Sequence, residues 1–268
     1  MTSRRSRRRT MLTGLSLLLV VGCASTEGTR VRVEGRKAHL LCEGTGHPTV
    51  VLEAGLGDTL DTWSWVQPEV ARFTRVCAYD RPGLGASAPV DGPRTSDRIV
   101  EELRILLDSA PVARPYVLVG HSFGSLNVRL FASRYPERVA GLVLVDPTHE
   151  DFPKIERELR SDWERRKVET ALTLAPEATR AEMGGIEESA RLVREAPAFS
   201  GIPVLILSSG RPDGSAEFRE TWTRLQKDLA ERIPGATRLV SHGSGHYIQY
   251  DDPDFVVDAI RQIFERVR

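Results

Sequence analysis

Tyr116-Val117-Leu118-Val119-Gly120-His121-Ser122-Phe123-Gly124 is the stretch on which the reading of this chain turns. It opens as an apolar run of strand character, passes through a G-x-S-x-G pentapeptide and leads into residues 125–135, whose apolar side chains recur at helical spacing. A serine on a tight turn between strand and helix has its hydroxyl pushed out at the end of a sheet. The flanking glycines are needed there because a Cβ would collide with neighbouring backbone. Ser122 is therefore a candidate nucleophile. The helix behind it points its first N–H groups at the same spot, so negative charge developing on a bound oxygen meets the positive end of a dipole.

Outward from this turn the pattern alternates. Residues 29–34 and 37–42 read as two short strands around the hairpin signal Gly35-Arg36, and 49–53 as a third around the buried run Val50-Val51-Leu52. Residues 63–73 read as a helix interrupted early by Pro68. A strand follows at 75–79, then a helix at 96–109, a strand at 116–119, the helix after Ser122, and a strand at 139–145. Composition then shifts: 147–200 is charged and helical, dense in Arg and Glu at 154–167, with no strand-like run. It has the character of an insertion laid over the sheet, its charge expected mainly on the outward face. Alternation resumes with a strand at 204–207, a helix at about 216–233, a strand at 237–240 and a last helix at 255–268. Strands alternating with helices imply an α/β fold, a mostly parallel sheet covered on both faces.

With 268 residues and 40% hydrophobic content the chain buries a full core. Lys plus Arg and Asp plus Glu number 37 each, so no net field attracts nucleic acid and no basic stripe is interleaved with aromatics. A small-molecule partner is expected instead. The N-terminus reads differently: Arg4, Arg5, Arg7, Arg8 and Arg9 precede an almost wholly apolar stretch at 11–21, the layout of a signal peptide. That stretch is short for a permanent membrane span and ends in Val20-Val21-Gly22-Cys23, which resembles the bacterial lipobox, implying lipidation of Cys23 and anchoring to the membrane of the cell envelope. Cleavage near Ala24 to a soluble exported protein is the other reading. The arginine pairs match a twin-arginine signal only loosely.

The order of elements and motifs resembles the α/β-hydrolase family, from about Val31 to the C-terminus apart from the insertion. Four signatures carry the resemblance: Gly120-His121-Ser122-Phe123-Gly124 as nucleophile elbow; Ala54-Gly55-Leu56-Gly57 where the family often has His-Gly before its oxyanion residue; Tyr79-Asp80-Arg81-Pro82-Gly83-Leu84-Gly85-Ala86-Ser87, like the D-x-x-G-x-G-x-S turn after the fourth strand; and Gly243-Ser244-Gly245-His246, where the family places its catalytic histidine. The resemblance implies an eight-stranded sheet with a helical cap insertion. Residues 1–22 would form the signal peptide and 23–28 a lipidated tether; 29–147 and 201–268 would form the two parts of the core, and 148–200 the cap.

A hydroxyl is a poor nucleophile at its free pKa, so Ser122 needs a base. Of six histidines His246 fits best, in a glycine-rich loop after the last strand and last in the order Ser, acid, His. His242 reads as an end-of-strand residue, His39 and His47 precede the core motifs, and His121 is inside the elbow. The oxyanion donors implied by the resemblance are the backbone N–H groups of Phe123 and Leu56. For the acid, Asp213 follows the seventh strand in Gly210-Arg211-Pro212-Asp213, although Pro212-Asp213-Gly214 is also a plain turn. Asp146 abuts the sixth strand in Val145-Asp146-Pro147, a position from which some α/β-hydrolases draw their acid. The choice stays open, with Asp146 preferred because the segment after Leu207 lacks the usual family continuation.

The implied function is a serine hydrolase, a carboxylesterase acting on an acyl compound through an acyl-enzyme on Ser122. Amide or peptide cleavage of the proline iminopeptidase kind is the alternative on the same fold. Relatives that are dehalogenases or epoxide hydrolases use Asp as nucleophile, and position 122 is Ser. A lipid-anchored binding protein without turnover is the reading from another class. No H-E-x-x-H or C-x-x-C occurs, so no metal is expected, and Gly83-Leu84-Gly85 lacks the rest of a dinucleotide fingerprint, so no cofactor is expected. Once Cys23 is assigned to lipid, Cys42 and Cys77 remain. The strand order implied by the resemblance puts these two on neighbouring strands, where in an oxidising compartment they are expected to pair as a disulfide; two buried free thiols serving as small apolar residues are the other reading.

Overall fold

A computed structural model describes residues 28–159 and 161–268. The expected signal peptide, Cys23 and nearly all of its tether lie outside the described residues.

Eight strands form one sheet: β1 (Thr29–Val33), β2 (Arg36–Glu43), β3 (Thr49–Glu53), β4 (Val76–Tyr79), β5 (Tyr116–His121), β6 (Val139–Val145), β7 (Val204–Ser209) and β8 (Ala236–Ser241). Their order across the sheet is β1-β2-β4-β3-β5-β6-β7-β8, with β1 and β2 antiparallel and every pair from β4 to β8 parallel. The strands alternate side chains between two cores, as period-2 geometry demands. Val51, Leu118, Leu142 and Ile206 face one core, with α2 (Ser96–Ser109), α3 (Gly124–Arg134) and α7 (Ala216–Arg232) over them. Val50, Leu52, Val119, Val143 and Leu207 face the other, under α1 (Gln67–Val70) and α9 (Pro253–Val267). The middle strands are buried on both faces, which is why they read as unbroken apolar runs.

Between β6 and β7 the chain makes α4 (Phe152–Leu159), α5 (Asp162–Leu174) and α6 (Glu177–Glu195). Of these, α6 packs on α2 and α3, and α4 on α7. Residues 63–73 depart from the helix expected there. The chain makes a tight helical turn, Leu60–Trp63, and then only the short α1. Pro68 offers no N–H and its ring excludes the carbonyl four residues earlier, so a helix cannot run through it. One more short helix, α8 (Ile248–Asp251), precedes α9.

Cys42 and Cys77 are direct partners in the antiparallel register of β2 and β4 and are joined in a disulfide across a sequence separation of 35.

Candidate active site

The turn from β5 into α3 holds Ser122 at φ 49°, a left-handed conformation rarely adopted by a residue with a side chain. The elbow survives because its surroundings over-determine it. The Ser122 N–H donates to the Val145 carbonyl at 3.0 Å, and Ser125 Oγ donates to the Ser122 carbonyl at 2.6 Å. At Gly124 a Cβ would lie 2.5 Å from the Ala54 carbonyl oxygen and 2.7 Å from that of Glu53, so only glycine lets the elbow approach the end of β3.

The structure brings together Ser122, His246 and Asp146. Ser122 Oγ lies 2.9 Å from His246 Nε2, and His246 Nδ1 lies 2.7 Å from Asp146 Oδ2. A carboxylate accepts only, so Nδ1 carries the proton and Nε2 presents its lone pair to the serine hydroxyl. Asp146 follows β6 at φ 39° with its side chain buried. Its second oxygen accepts the Ser209 backbone N–H at 2.8 Å and the Trp222 indole N–H at 3.2 Å. Three N–H donors thus converge on one buried carboxylate and fix its orientation toward His246. Asp213 stands on the wall of the adjoining cavity and is not the partner of His246.

The loop carrying His246 is held from below. Gly245 donates its N–H to Asp251 at 2.7 Å, and Ser241 Oγ donates to Asp252 at 2.8 Å. His121 Nε2 donates to the His246 carbonyl at 3.1 Å, its ring 4.8 Å from that of His246. Burial and the neighbouring His246 push the His121 pKa well below the ordinary histidine value, so it remains a neutral support. Trp222 meets the His246 ring edge to face with centroids 5.6 Å apart.

Leu56 and Phe123 both line the cavity beside Ser122, and among the described residues neither backbone N–H is engaged in a hydrogen bond. The cavity measures about 260 Å³, and Leu56, Phe123, Phe152, Met183, Ile186 and Phe218 supply most of its apolar wall. Behind the Leu56 loop lies a buried charged cluster. Arg81 pairs with Glu53 at 3.0 Å and with Glu182 at 2.6 Å. Burial alone would lower the Arg81 pKa, but Glu182 and Glu53 outweigh it and raise it above its ordinary value; burial raises that of Glu53.

The sequence reading missed Trp222, His121 in its supporting role, and the pair Arg81–Glu182. A tryptophan on the buried face of α7 was a usable signal, since an indole N–H taken from water requires an acceptor. Among the described residues no group of His, Cys, Asp and Glu is arranged to hold a metal ion.

A parallel sheet whose strand ends gather a serine, a histidine and an aspartate into one hydrogen-bonded chain defines the hydrolytic class of α/β proteins. The sequence profile of the alpha/beta hydrolase fold family matches residues 48–184, and the chain belongs to that family. It is similar to Uncharacterized protein YqjL of Bacillus subtilis, at 28% identity over 225 residues that span 83% of this chain and 85% of that protein. Among solved structures it resembles a thermophilic esterase from Thermogutta terrifontis with malate bound, with a TM-score of 0.62 and 21% identity, covering 90% of this chain and 97% of that one. It also resembles the epoxide hydrolase CorEH, with a TM-score of 0.61 and 18% identity, covering 90% and 99%. These two likenesses concern the fold, on which different reactions are run, so the reaction is read from the site.

Proposed function

We propose that this chain is a serine hydrolase that cleaves carboxylic esters through an acyl-enzyme on Ser122. The observation that carries the reading is the unbroken hydrogen-bond chain Ser122, His246, Asp146. His246 Nε2 takes the hydroxyl proton as Oγ attacks the ester carbonyl carbon. The carbonyl oxygen becomes an oxyanion, and the free N–H groups of Leu56 and Phe123 bind it. Asp146 stabilises the imidazolium. As the tetrahedral intermediate collapses, Nε2 returns the proton to the departing alkoxide. A water molecule then attacks the acyl-enzyme with the same imidazole as base, releasing the acid and restoring Ser122. The apolar and aromatic wall supports an uncharged acyl group, and the segment of α4, α5 and α6 acts as a cap whose first and last helices line the cavity and exclude water.

We propose export as well: the lipobox-like Val20-Val21-Gly22-Cys23 supports lipidation at Cys23, and the Cys42–Cys77 bridge supports an oxidising compartment.

A fluorophosphonate probe together with a series of p-nitrophenyl esters of increasing acyl length tests the reading. The wild type is expected to label once and to turn over esters. Ser122→Ala is expected to fold, to stay unlabelled and to lose at least about three orders of magnitude in turnover. Wild-type protein that neither labels nor hydrolyses any ester or amide would leave a binding protein on this fold.

A further inference from the structure

One side chain of the cap is turned inward against everything its surroundings in the sequence imply. Glu182 stands on α6 among exposed Arg180, Glu187 and Glu188, yet it is fully buried. Its two oxygens accept from Arg81, Nε to Oε1 at 2.6 Å and Nη2 to Oε2 at 3.0 Å, and Oε2 also accepts the Gly57 backbone N–H at 2.8 Å. Besides its pairing with Glu53, Arg81 directs two further hydrogen bonds to the same loop. Nη1 donates to the Ala54 carbonyl at 2.8 Å, Nη2 donates to the Gly55 carbonyl at 2.5 Å, and the guanidinium lies 5.8 Å from the Phe123 ring centroid.

The Gly55 carbonyl and the Leu56 N–H belong to one peptide unit. Because that unit is planar and trans, its C=O and N–H point in opposite directions. A guanidinium gripping the carbonyl from behind therefore aims the N–H to the front, where the cavity lies, and a charged donor on the carbonyl polarises the peptide toward stronger donation. The next peptide unit is held by Glu182 through the Gly57 N–H. The helix that carries Glu182 is seated close. A Cβ at Gly57 would lie 2.6 Å from Thr179 Cγ2, and a Cβ at Gly83 would lie 2.6 Å from Ala178 Cβ.

We infer that Arg81 and Glu182 are a positioning pair for the oxyanion site, holding the Leu56 peptide with its N–H toward the cavity, so that the cap completes the machinery it covers. The inference rests on the acyl-transfer reading above. Neither side chain touches the reacting atoms; both act through the Leu56 loop.

Glu182→Gln is the test. A carboxamide has one acceptor oxygen, so its NH2 group then faces either Arg81 Nε alone or Arg81 Nη2 and the Gly57 N–H together, and the clamp opens on one side. Expected is a fall in kcat of about 10- to 100-fold with KM little changed, because the lost interaction is realised only in the transition state. Affinity for a boronic acid inhibitor, whose tetrahedral adduct presents an oxyanion, is expected to fall by the same factor. Affinity for an apolar ketone that fills the cavity without reacting is expected to stay. Glu188→Gln, on the exposed side of α6, is the control and is expected to match wild type in all three. Where Glu182→Gln does not fold, Gly57→Ala applies the same criteria with every charge in place, since its Cβ would push the loop off Thr179. Wild-type values of kcat and boronate affinity in a folded variant would overturn the inference. So would a rise in KM with parallel loss of the ketone, which would make the pair a wall of the pocket only. Failure of the wild type to label at Ser122 would bring down the acyl-transfer reading, and this inference with it.

Discussion

Asp146→Asn removes one charge and almost no volume, and the structure dictates how the new amide must sit. Two donors, the Ser209 N–H at 2.8 Å and the Trp222 indole N–H at 3.2 Å, face one oxygen; the other faces His246 Nδ1. Placing the amide nitrogen toward Ser209 and Trp222 sets donor against donor twice. Placing it toward His246 leaves both of those bonds intact and is the favoured orientation. The amide then donates to Nδ1, and the imidazole answers by carrying its proton on Nε2, facing Ser122 Oγ. In that tautomer the ring cannot accept the serine proton. Loss of a general base by tautomer inversion in a triad costs about ten-thousand-fold in turnover, or about 5 kcal/mol of transition-state stabilisation. The fold should hardly notice, since asparagine tolerates the left-handed φ of 39° better than most residues. The assay is kcat/KM on a p-nitrophenyl ester, with thermal melts of both proteins and Asp213→Asn as companion. Asp213→Asn is expected to stay within about threefold of wild type, because its carboxylate lies on the cavity wall and not on the imidazole. An Asp146→Asn protein with an unchanged melt and activity within about tenfold of wild type would refute the reasoning, as would an equally large loss in Asp213→Asn.

Replacing Cys42 and Cys77 by serine is expected to lower stability by about 3–4 kcal/mol, the denatured-state entropy removed by closing a segment of this length. Urea unfolding of the oxidised and the variant protein measures it, and coincident curves would show that the bridge constrains nothing. Glu150 sets an acid limb. Burial pushes its carboxyl up, but Arg129, 2.9 Å away, outweighs that and holds it at about 2, below the ordinary value of 4.5. A carboxylate depressed in the folded state stabilises the fold above its unfolded pKa and loses that contribution as pH falls through the folded one, so stability should drop between pH 4.5 and about 2, by up to about 3 kcal/mol from this group. Glu150→Gln is expected to flatten the drop, as read by denaturant titrations across that window, and superimposable acid limbs would remove the pair from the account.

Which parts of this site were legible follows from how far apart their determinants lie. The elbow is local: β5, Ser122 and α3 are consecutive, and the strand, the small residues and the helix each leave their own period in the sequence. His246 was legible for a similar reason, since a glycine-rich loop directly after an apolar strand end marks its level in the sheet. The acid was legible only as a choice of two with Asp146 preferred, because Asp146 and Asp213 both follow strands. What separates them is the indole of Trp222, 76 positions beyond Asp146, and the Ser209 N–H, 63 positions beyond it. Glu182 was the least legible. In a helix of mixed charge it reads as one more solvated carboxylate, and only Arg81, 101 positions earlier, turns it inward. The shortened helix after residue 63 shows the opposite limit. Pro68 announced an interruption, but the apolar spacing of Trp63, Val66 and Val70 persists through a tight turn and a short helix as well as through a long one.

The seating of α6 against two glycine turns has a consequence for anyone who would redesign this protein. Caps of α/β-hydrolases invite exchange, one cassette for another, to transfer substrate preference between scaffolds. Here such a graft would have to arrive with a small residue at position 178, a carboxylate at 182 and a backbone path that brings both onto Gly83 and Gly57. A cassette lacking the carboxylate would leave the Arg81 guanidinium enclosed with too few acceptors, a defect of several kcal/mol in its own right. Recombination breakpoints at 148 and 200 therefore cut through a unit of inheritance that is discontinuous in the chain. A library that varies the cap together with residues 54–57 and 80–83 should yield active chimeras far more often than one that varies the cap alone.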